Sequence, residues 1–549
     1  MLDVIPESLD RLRAVADLAR GVNVLRKRGL MNPLRPDQLV RLSRRADRFG
    51  PFAATVMHGA DLHAGAPAIV DERGTLSFGD IDRQSNALAR GLATTGIAPG
   101  DVVAVLSRDH RGMVLAMLAL GKLGARMVLM NTGFAKPQFA DVAARERVSA
   151  VLHDSEFTGV LDAVPGDIPR VLTWVDDADD VAPNAVTIDD LLAGRASDPV
   201  PAPAKPGGMV ILTSGTTGTP KGAPRDTASP LVSAQFLDRV PLPRDNTIVM
   251  AAPIFHGTGL SQFLLGLGLG NKIVFQQRKF NAEQTLRNVA EHRAATLVVV
   301  PTMLQRILDV GPEILAAYDT SSLRVIFCAG SSVSPDLSRR AAEIFGEVLY
   351  NLYGSTEVAV AAVATPADMR TAPGTVGKPP VGCRVAVYDA DRNLITEPGV
   401  VGTIFVSSGL SFAGYTDGAN KEIVDGKLSS GDVGHFDSNG LLFVDGRDDD
   451  MIVSGGENVF PLEVENLLVQ RPDVHDAAVV GVEDQDFGKR LRAFIVPGPD
   501  SRRDPQEIRD FVKANLARHK VPRDVVFMDE LPRNATGKLL RNKLTAIQF

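Results

Sequence analysis

Residues 209–222 read Met-Val-Ile-Leu-Thr-Ser-Gly-Thr-Thr-Gly-Thr-Pro-Lys-Gly. Four apolar residues, Met209–Leu212, form a strand-like run. They lead into a loop of hydroxyls and glycines that ends in Lys221. Glycines let backbone N–H groups approach an anion closely, and small hydroxyls add donors. Lys221 adds a mobile positive charge for β- and γ-phosphates. A Walker A loop needs Gly-Lys-Ser/Thr, whereas Pro220 precedes this lysine and Gly222 follows it. The stretch therefore reads as a nucleotide loop behind a strand, and not as P-loop kinase chemistry. A Gly/Thr run can also be a flexible linker; this particular string argues against it.

Working upstream, Ala68–Asp71, Val102–Leu106 and Ala125–Met130 read as strands, and Asp80–Thr95 and Gly112–Lys122 as helices. Such alternation with short connections implies α/β architecture with a parallel sheet. Pro199–Gly208 is a connector. Residues 7–28 have near-helical apolar spacing, and residues 1–48 hold eleven basic against six acidic side chains. That segment is either a solvated arm packed on the body or a basic amphipathic surface for anionic lipid. Downstream, Ala477–Val482 and Arg492–Val496 read as strands, with helices at Pro505–Arg518 and Leu539–Ile547. The expected organisation is a basic arm over 1–50, a body over 51–447 and a small C-terminal domain over 448–549.

Composition narrows the class. In 549 residues, 59 Lys+Arg against 66 Asp+Glu give −7, so nucleic acid is not an expected partner. Apolar residues at 44% exclude global disorder. Two cysteines, Cys328 and Cys383, cannot form a disulfide framework, which points to a reducing, cytoplasmic setting. Lys122 and Arg126 interrupt the longest apolar run, Met113–Met130, so no spanning helix is expected. Asp3, Glu7 and Asp10 argue against a secretory signal.

Further motifs follow the phosphate loop in order. They are Pro253-Ile254-Phe255-His256-Gly257, Ala329-Gly330-Ser331-Ser332 and Asn351-Leu352-Tyr353-Gly354-Ser355-Thr356-Glu357. Then come Ser430-Gly431-Asp432, Gly446-Arg447-Asp448-Asp449-Asp450, Ser454-Gly455-Gly456-Glu457-Asn458 and Leu531-Pro532-Arg533-Asn534-Ala535-Thr536-Gly537-Lys538. Singly, each has a plainer reading. Asp432 could be a turn residue, Glu357 a charge opening a helix over Val358–Val363, and His256 a structural histidine. Together, from about residue 55 to 544, they resemble the adenylate-forming superfamily of acyl-CoA synthetases, firefly-type luciferases and peptide-synthetase adenylation domains.

That resemblance implies an α/β fold: a large multi-sheet N-terminal body and a small mobile α+β C-terminal domain, with the hinge falling on Asp449. It implies ATP, Mg2+ and coenzyme A. Thr213, Ser214, Gly215, Thr216, Thr217, Gly218 and Lys221 would hold phosphates, and Glu357 with Thr213 would hold the metal. Gly330, Ser331, Ser332 and Tyr353 would enclose adenine, within a nucleotide site that also takes in Gly354 and Ser355. Thr356 would donate to the α-phosphate, Asp432 and Arg447 would meet the ribose, and Lys538 would bridge carboxylate and α-phosphate. His256 is counted with the catalytic residues, and Ser454, Gly455, Gly456 and Glu457 would line the CoA tunnel.

Peptide-synthetase adenylation domains typically carry an acid where this chain has His256, so an amino-acid substrate would lose its counter-charge. The Leu/Gly alternation over Phe263–Gly270 reads equally as an opened acyl wall or as close helix packing. The expected reaction is activation of a medium- or long-chain fatty acid to acyl-AMP, then thioester formation with CoA. Three alternatives stay open: transfer to a carrier protein, an aromatic or polycyclic acid, and a non-catalytic nucleotide-binding regulator. Peripheral membrane contact through the arm and a homodimer also stay open.

Overall fold

The computed structural model describes all residues except 1–4, 33, 178–181, 183, 214–219, 226–229, 278, 410–413, 449, 455–456, 485–487, 499–500, 535–536 and 548–549. Among the described residues the chain builds four sheets. One has seven strands in the order Val186–Thr187, Arg170–Trp174, Ala150–Asp154, Val102–Leu106, Arg126–Leu129, Met209–Leu212, Gly222–Pro224. Its pairs are parallel except the last, where Gly222–Pro224 turns back on Met209–Leu212.

A second, eight-stranded sheet runs Ala362–Ala364, Leu349–Tyr353, Val325–Ala329, Thr296–Val299, Thr247–Met250, Lys272–Phe275, Pro67–Asp71, Gly74–Ser77. It too is parallel, with antiparallel strands at its two edges. The parallel strands are near-continuous Val, Ile and Leu because helices cover both faces. The helix Arg111–Leu123 shows the same logic. Its residues from Gly112 to Lys122 are all buried, and His110 caps its start by accepting from the Gly112 and Met113 N–H groups. Lys122 is tolerated inside because its ammonium reaches the Asp82 carboxylate at 2.8 Å and the Asn86 side-chain oxygen at 2.7 Å.

The strands expected at Ala68–Asp71, Val102–Leu106 and Met209–Leu212 form there, and the two expected helices form as Phe78–Ala93 and Arg111–Leu123. One element departs from the expected boundaries. A helix runs from Pro36 to His63 and is kinked at Gly50, where φ is +82°, just before Pro51. The helix thus crosses the expected boundary between the arm, 1–50, and the body, 51–447, and resumes at once after the kink. Phe49 and Phe52 lie on either side of residue 50, and both are buried in the main core. The preceding helix, Ile5–Arg28, also anchors there through Leu25.

A third, antiparallel sheet over residues 384–447 carries Lys427–Phe436 against Leu442–Arg447. The fourth sheet pairs Val474–Asp484 with Gly488–Pro497 and encloses its own cores with the helices Pro461–Leu468 and Pro505–Asn515. Both cysteines are buried and free. Among the described residues no helix is long and apolar enough to cross a membrane.

Candidate active site

The nucleotide-type motifs sit where parallel strands end. Thr213 follows Met209–Leu212, Gly330 follows Val325–Ala329, and Tyr353 closes Leu349–Tyr353. Ligands of open α/β sheets gather at such carboxyl ends. A single connected cavity of about 2380 Å³ there is lined by Thr213, Lys221, His256, Gly330, Ser331, Ser332, Tyr353, Gly354, Ser355, Thr356, Glu357, Asp432, Arg447 and Lys538. Residues spread over more than three hundred positions thus face one space. Ser214, Gly215, Thr216, Thr217 and Gly218 lie outside the described residues, as do Gly455, Gly456 and Asp449.

The loop's base is pinched shut. Thr213 N–H donates to the Lys221 carbonyl at 2.8 Å, and Lys221 N–H donates to Thr213 Oγ1 at 3.2 Å. The Lys221 ammonium lies 4.8 Å from the centre of the Tyr415 ring. Tyr415 in turn donates its hydroxyl to Glu357 Oε1 at 2.6 Å, and Ser355 Oγ donates to Glu357 Oε2 at 2.8 Å. These bonds hold the Glu357 carboxyl below its ordinary value against a burial that acts the other way. Gly354 is required here, because a Cβ would lie 1.9 Å from the Ala359 carbonyl. No helix follows Glu357: the next regular element is the strand Ala362–Ala364. The helix-opening reading of this glutamate therefore fails.

Asp432 and Arg447 face each other across paired strands, 3.9 Å apart at their closest charged atoms. Tyr353 donates its hydroxyl to Asp432 Oδ2 at 2.6 Å. Burial raises the Asp432 carboxyl, and the bond from Tyr353 with the charges of Arg447 and Lys538 counters it. Lys538 thus sits within electrostatic reach of Asp432. Its hairpin is closed by Asn534 N–H donating to the Lys538 carbonyl and Lys538 N–H donating to Asn534 Oδ1, both 2.9 Å.

His256 precedes the helix Gly257–Gly268. Its Nε2 is buried with no hydrogen-bond partner among the described residues, and burial lowers the ring to about 4. The ring is therefore neutral in ordinary buffers. Phe255 beside it is core and does not line the cavity. Ser454 and Glu457, expected at a CoA tunnel, pair with each other across a short hairpin and do not line the cavity.

Three side chains with no motif of their own also belong here. Arg225, just past the phosphate loop, donates to the Thr356 carbonyl. Tyr415 braces Glu357, and Thr302 touches the Lys538 hairpin, at the place a Cβ on Gly537 would occupy. Arg225 has a positional signal, standing four residues beyond Lys221. Tyr415 and Thr302 are brought in by folding alone.

The profile described as "AMP-binding enzyme" matches residues 57–416, and that described as "AMP-binding enzyme C-terminal domain" matches 463–538. The chain belongs to the AMP-binding enzyme family. Among relatives, an indoleacetate–CoA ligase of Aromatoleum aromaticum is 32% identical over 88% of this chain and 95% of its own. A fatty acid–[acyl-carrier-protein] ligase of Streptomyces coeruleorubidus is 29% identical over 90% of this chain and 96% of its own. The o-succinylbenzoate coenzyme A synthetase of Bacillus subtilis, solved with ATP and magnesium ion, superposes with a TM-score of 0.75 at 28% identity, over 89% of this chain and 98% of that one. The family profile starts at residue 57, so the helix Ile5–Arg28 and most of Pro36–His63 precede it.

Proposed function

We propose that this AMP-binding enzyme activates an apolar carboxylic acid with ATP and passes the acyl group to coenzyme A. A carboxylate oxygen attacks the α-phosphorus and pyrophosphate leaves. The CoA thiol then attacks the acyl carbonyl carbon and AMP leaves. The observation that carries the reading is the meeting of Lys538 with Glu357, Thr356 and Asp432 in one cavity. Two anions must approach each other in the first step, and preorganised cations lower that barrier. Lys538 would hold the carboxylate against the α-phosphate. Thr356 would donate to the α-phosphate, and its own carbonyl is fixed by Arg225. Asp432 and Arg447 would take the ribose, and the Gly330–Ser332 segment with Tyr353 the adenine.

Mg2+ usually keeps one or two carboxylates, with phosphate oxygens and waters as its other ligands. Glu357 fits that role, since it lines the cavity and each of its oxygens accepts one of these two hydrogen bonds, with further acceptor capacity beyond them. Thr213 is its partner in this reading. When bound, the ion neutralises phosphate charge.

An apolar acid is favoured by neutral His256, which offers no counter-charge to an ammonium group. The relatives named above act, by name, on indoleacetate, a fatty acid and o-succinylbenzoate, so the test offers both rings and chains. The arm adds a partner: anionic lipid, met by Val15, Leu18 and Val22, which are exposed on the helix Ile5–Arg28. The experiment is ATP, Mg2+ and purified protein with straight-chain, indolyl and polycyclic acids, offered either CoA or a phosphopantetheinyl carrier protein. Acyl-CoA with stoichiometric AMP is expected. Acyl transfer to the carrier protein alone would overturn the CoA assignment.

A further inference from the structure

The cavity does not stop at the residues of the AMP-binding family. It continues past the helix Gly257–Gly268, along Leu264, Leu265 and Gly268, to a wall supplied by Met31, Leu39, Leu42, Ala46 and Phe49. That wall comes from the turn after the first helix and from Pro36–His63, ahead of residue 57 where the family profile begins. Leu30 seals the junction: a Cβ on Gly268 would lie 3.1 Å from Leu30 Cδ1. Gly268 is thus a place where helix packing and cavity wall coincide. Gly266, by contrast, serves close packing, since its Cβ would lie 2.7 Å from Ile248 Cδ1.

The distribution of charge makes the wall specific. Residues 1–48 hold seventeen charged side chains. Among the described residues, none of these charged side chains lines the cavity. Between Leu25 and His58 the lining contains no Asp, Glu, Lys or Arg. Packing on the body accounts for such a segregation, and here the apolar side also borders the cavity, with Ser43, Thr55 and His58 as its polar members. The kink gives the wall its shape. At Gly50 the chain takes φ +82°, and a Cβ there would meet nothing within 4 Å, because the position faces the cavity. Ordinary small-molecule pockets are ~300–1,000 Å³; this cavity is larger because it joins the nucleotide site, the cleft beneath the C-terminal domain and the space beside this wall.

We infer that the N-terminal helical pair is a specificity-determining part of the acyl site, and that it selects acids whose apolar body is long enough to reach Leu42 and Ala46. This rests on the acid-ligase reading above. It assigns the segment ahead of the family profile a role in substrate choice.

The test is the ratio of kcat/KM for palmitate to that for hexanoate, read by pyrophosphate release so that the acceptor does not matter. A ratio is insensitive to the fraction of a variant that folds. Wild type should favour palmitate at least tenfold. Ala46→Phe should cut the ratio at least tenfold by shortening the space. Leu42→Ala, at a half-buried position, should raise the relative rate for a polycyclic acid over hexanoate. Binding of cis-parinarate, a conjugated 18-carbon acid followed by its own fluorescence, reads the same wall without catalysis and should weaken at least tenfold in Ala46→Phe. Ratios and parinarate affinity within twofold of wild type in both variants would overturn the inference. If parinarate binding depends on Ala46 but no acid releases pyrophosphate, the wall stands and the ligase reading falls.

Discussion

At the residue scale, the site is a set of charges whose partners were chosen by folding. Lys538→Ala should lower acyl-AMP formation by about 10²–10³, the usual effect of removing one preorganised contact to a developing charge. Thioester formation from preformed acyl-AMP should fall much less, because no anion then approaches the α-phosphate. Rapid-quench measurement of each half-reaction checks this, and equal losses would contradict the role. His256 supplies a second prediction, through pH. Burial lowers its ring to about 4 in the folded chain, against the ordinary histidine value of 6.5. Between those values the unfolded chain binds the extra proton. The contribution to stability is therefore complete above pH 6.5 and is lost as the pH falls toward 4. Two and a half units correspond to about 3 kcal/mol at most, less any hydration from the cavity. His256→Gln should flatten the loss of stability over that window in urea melts at pH 4.5, 5.5 and 6.5. An unchanged slope would mean the ring is hydrated. Asp432 and His256 could be singled out from their motifs. The bond from Tyr353 to Asp432 and the orphaned Nε2 of His256 could not, because both depend on which atoms share a cavity.

At the element scale, parallel strands were legible as apolar runs and the helices Phe78–Ala93 and Arg111–Leu123 as periodic ones, because burial on both faces or one stripe writes directly into composition. The helix Pro36–His63 was not legible. Arg44, Arg45, Asp47 and Arg48 crowd its middle, and Gly50-Pro51 marks a break that tertiary packing overrides. The same packing changes how the lipid reading is tested. Removing residues 1–48 would strip Leu25 from the main core, so point changes are the better probe. Val15, Leu18 and Val22 stand at helical spacing on one exposed stripe, Leu18 being 49% exposed. Leu18→Glu with Val22→Glu should reduce co-sedimentation with phosphatidylglycerol vesicles at least fivefold at low salt. Each basic residue near an anionic surface adds roughly 1 kcal/mol, so wild-type binding should also fade as salt shortens the Debye length. Equal sedimentation of both proteins would make the stripe merely an exposed surface.

At the scale of the whole molecule, one arrangement must be exchanged for another if both half-reactions share a cavity. Lys538 lines the cavity, while Ser454 and Glu457 stand outside it. On the proposed reading, that is the disposition the first half-reaction would need. The second needs the pantetheine path and has no use for the lysine, so a turn of the C-terminal domain is the economical route. Asp449, the expected pivot, lies outside the described residues, but the docked state has a contact that can be attacked directly. Gly537 has φ +76°, and a Cβ on it would lie 2.2 Å from Thr302 Oγ1 at the mouth of the body. A side chain at 537 is therefore penalised twice in the docked state, by backbone conformation and by Thr302. In a rotated state the Thr302 contact would be lost. Gly537→Ala should slow acyl-AMP formation by roughly tenfold or more, a factor of ten being about 1.4 kcal/mol. It should leave thioester formation from supplied acyl-AMP closer to wild type. Adding Thr302→Ala should restore part of the first rate, because it removes the collision and leaves only the strain. If Gly537→Ala slows both half-reactions alike and Thr302→Ala restores neither, the hairpin's contact with Thr302 is not what sets the docked state.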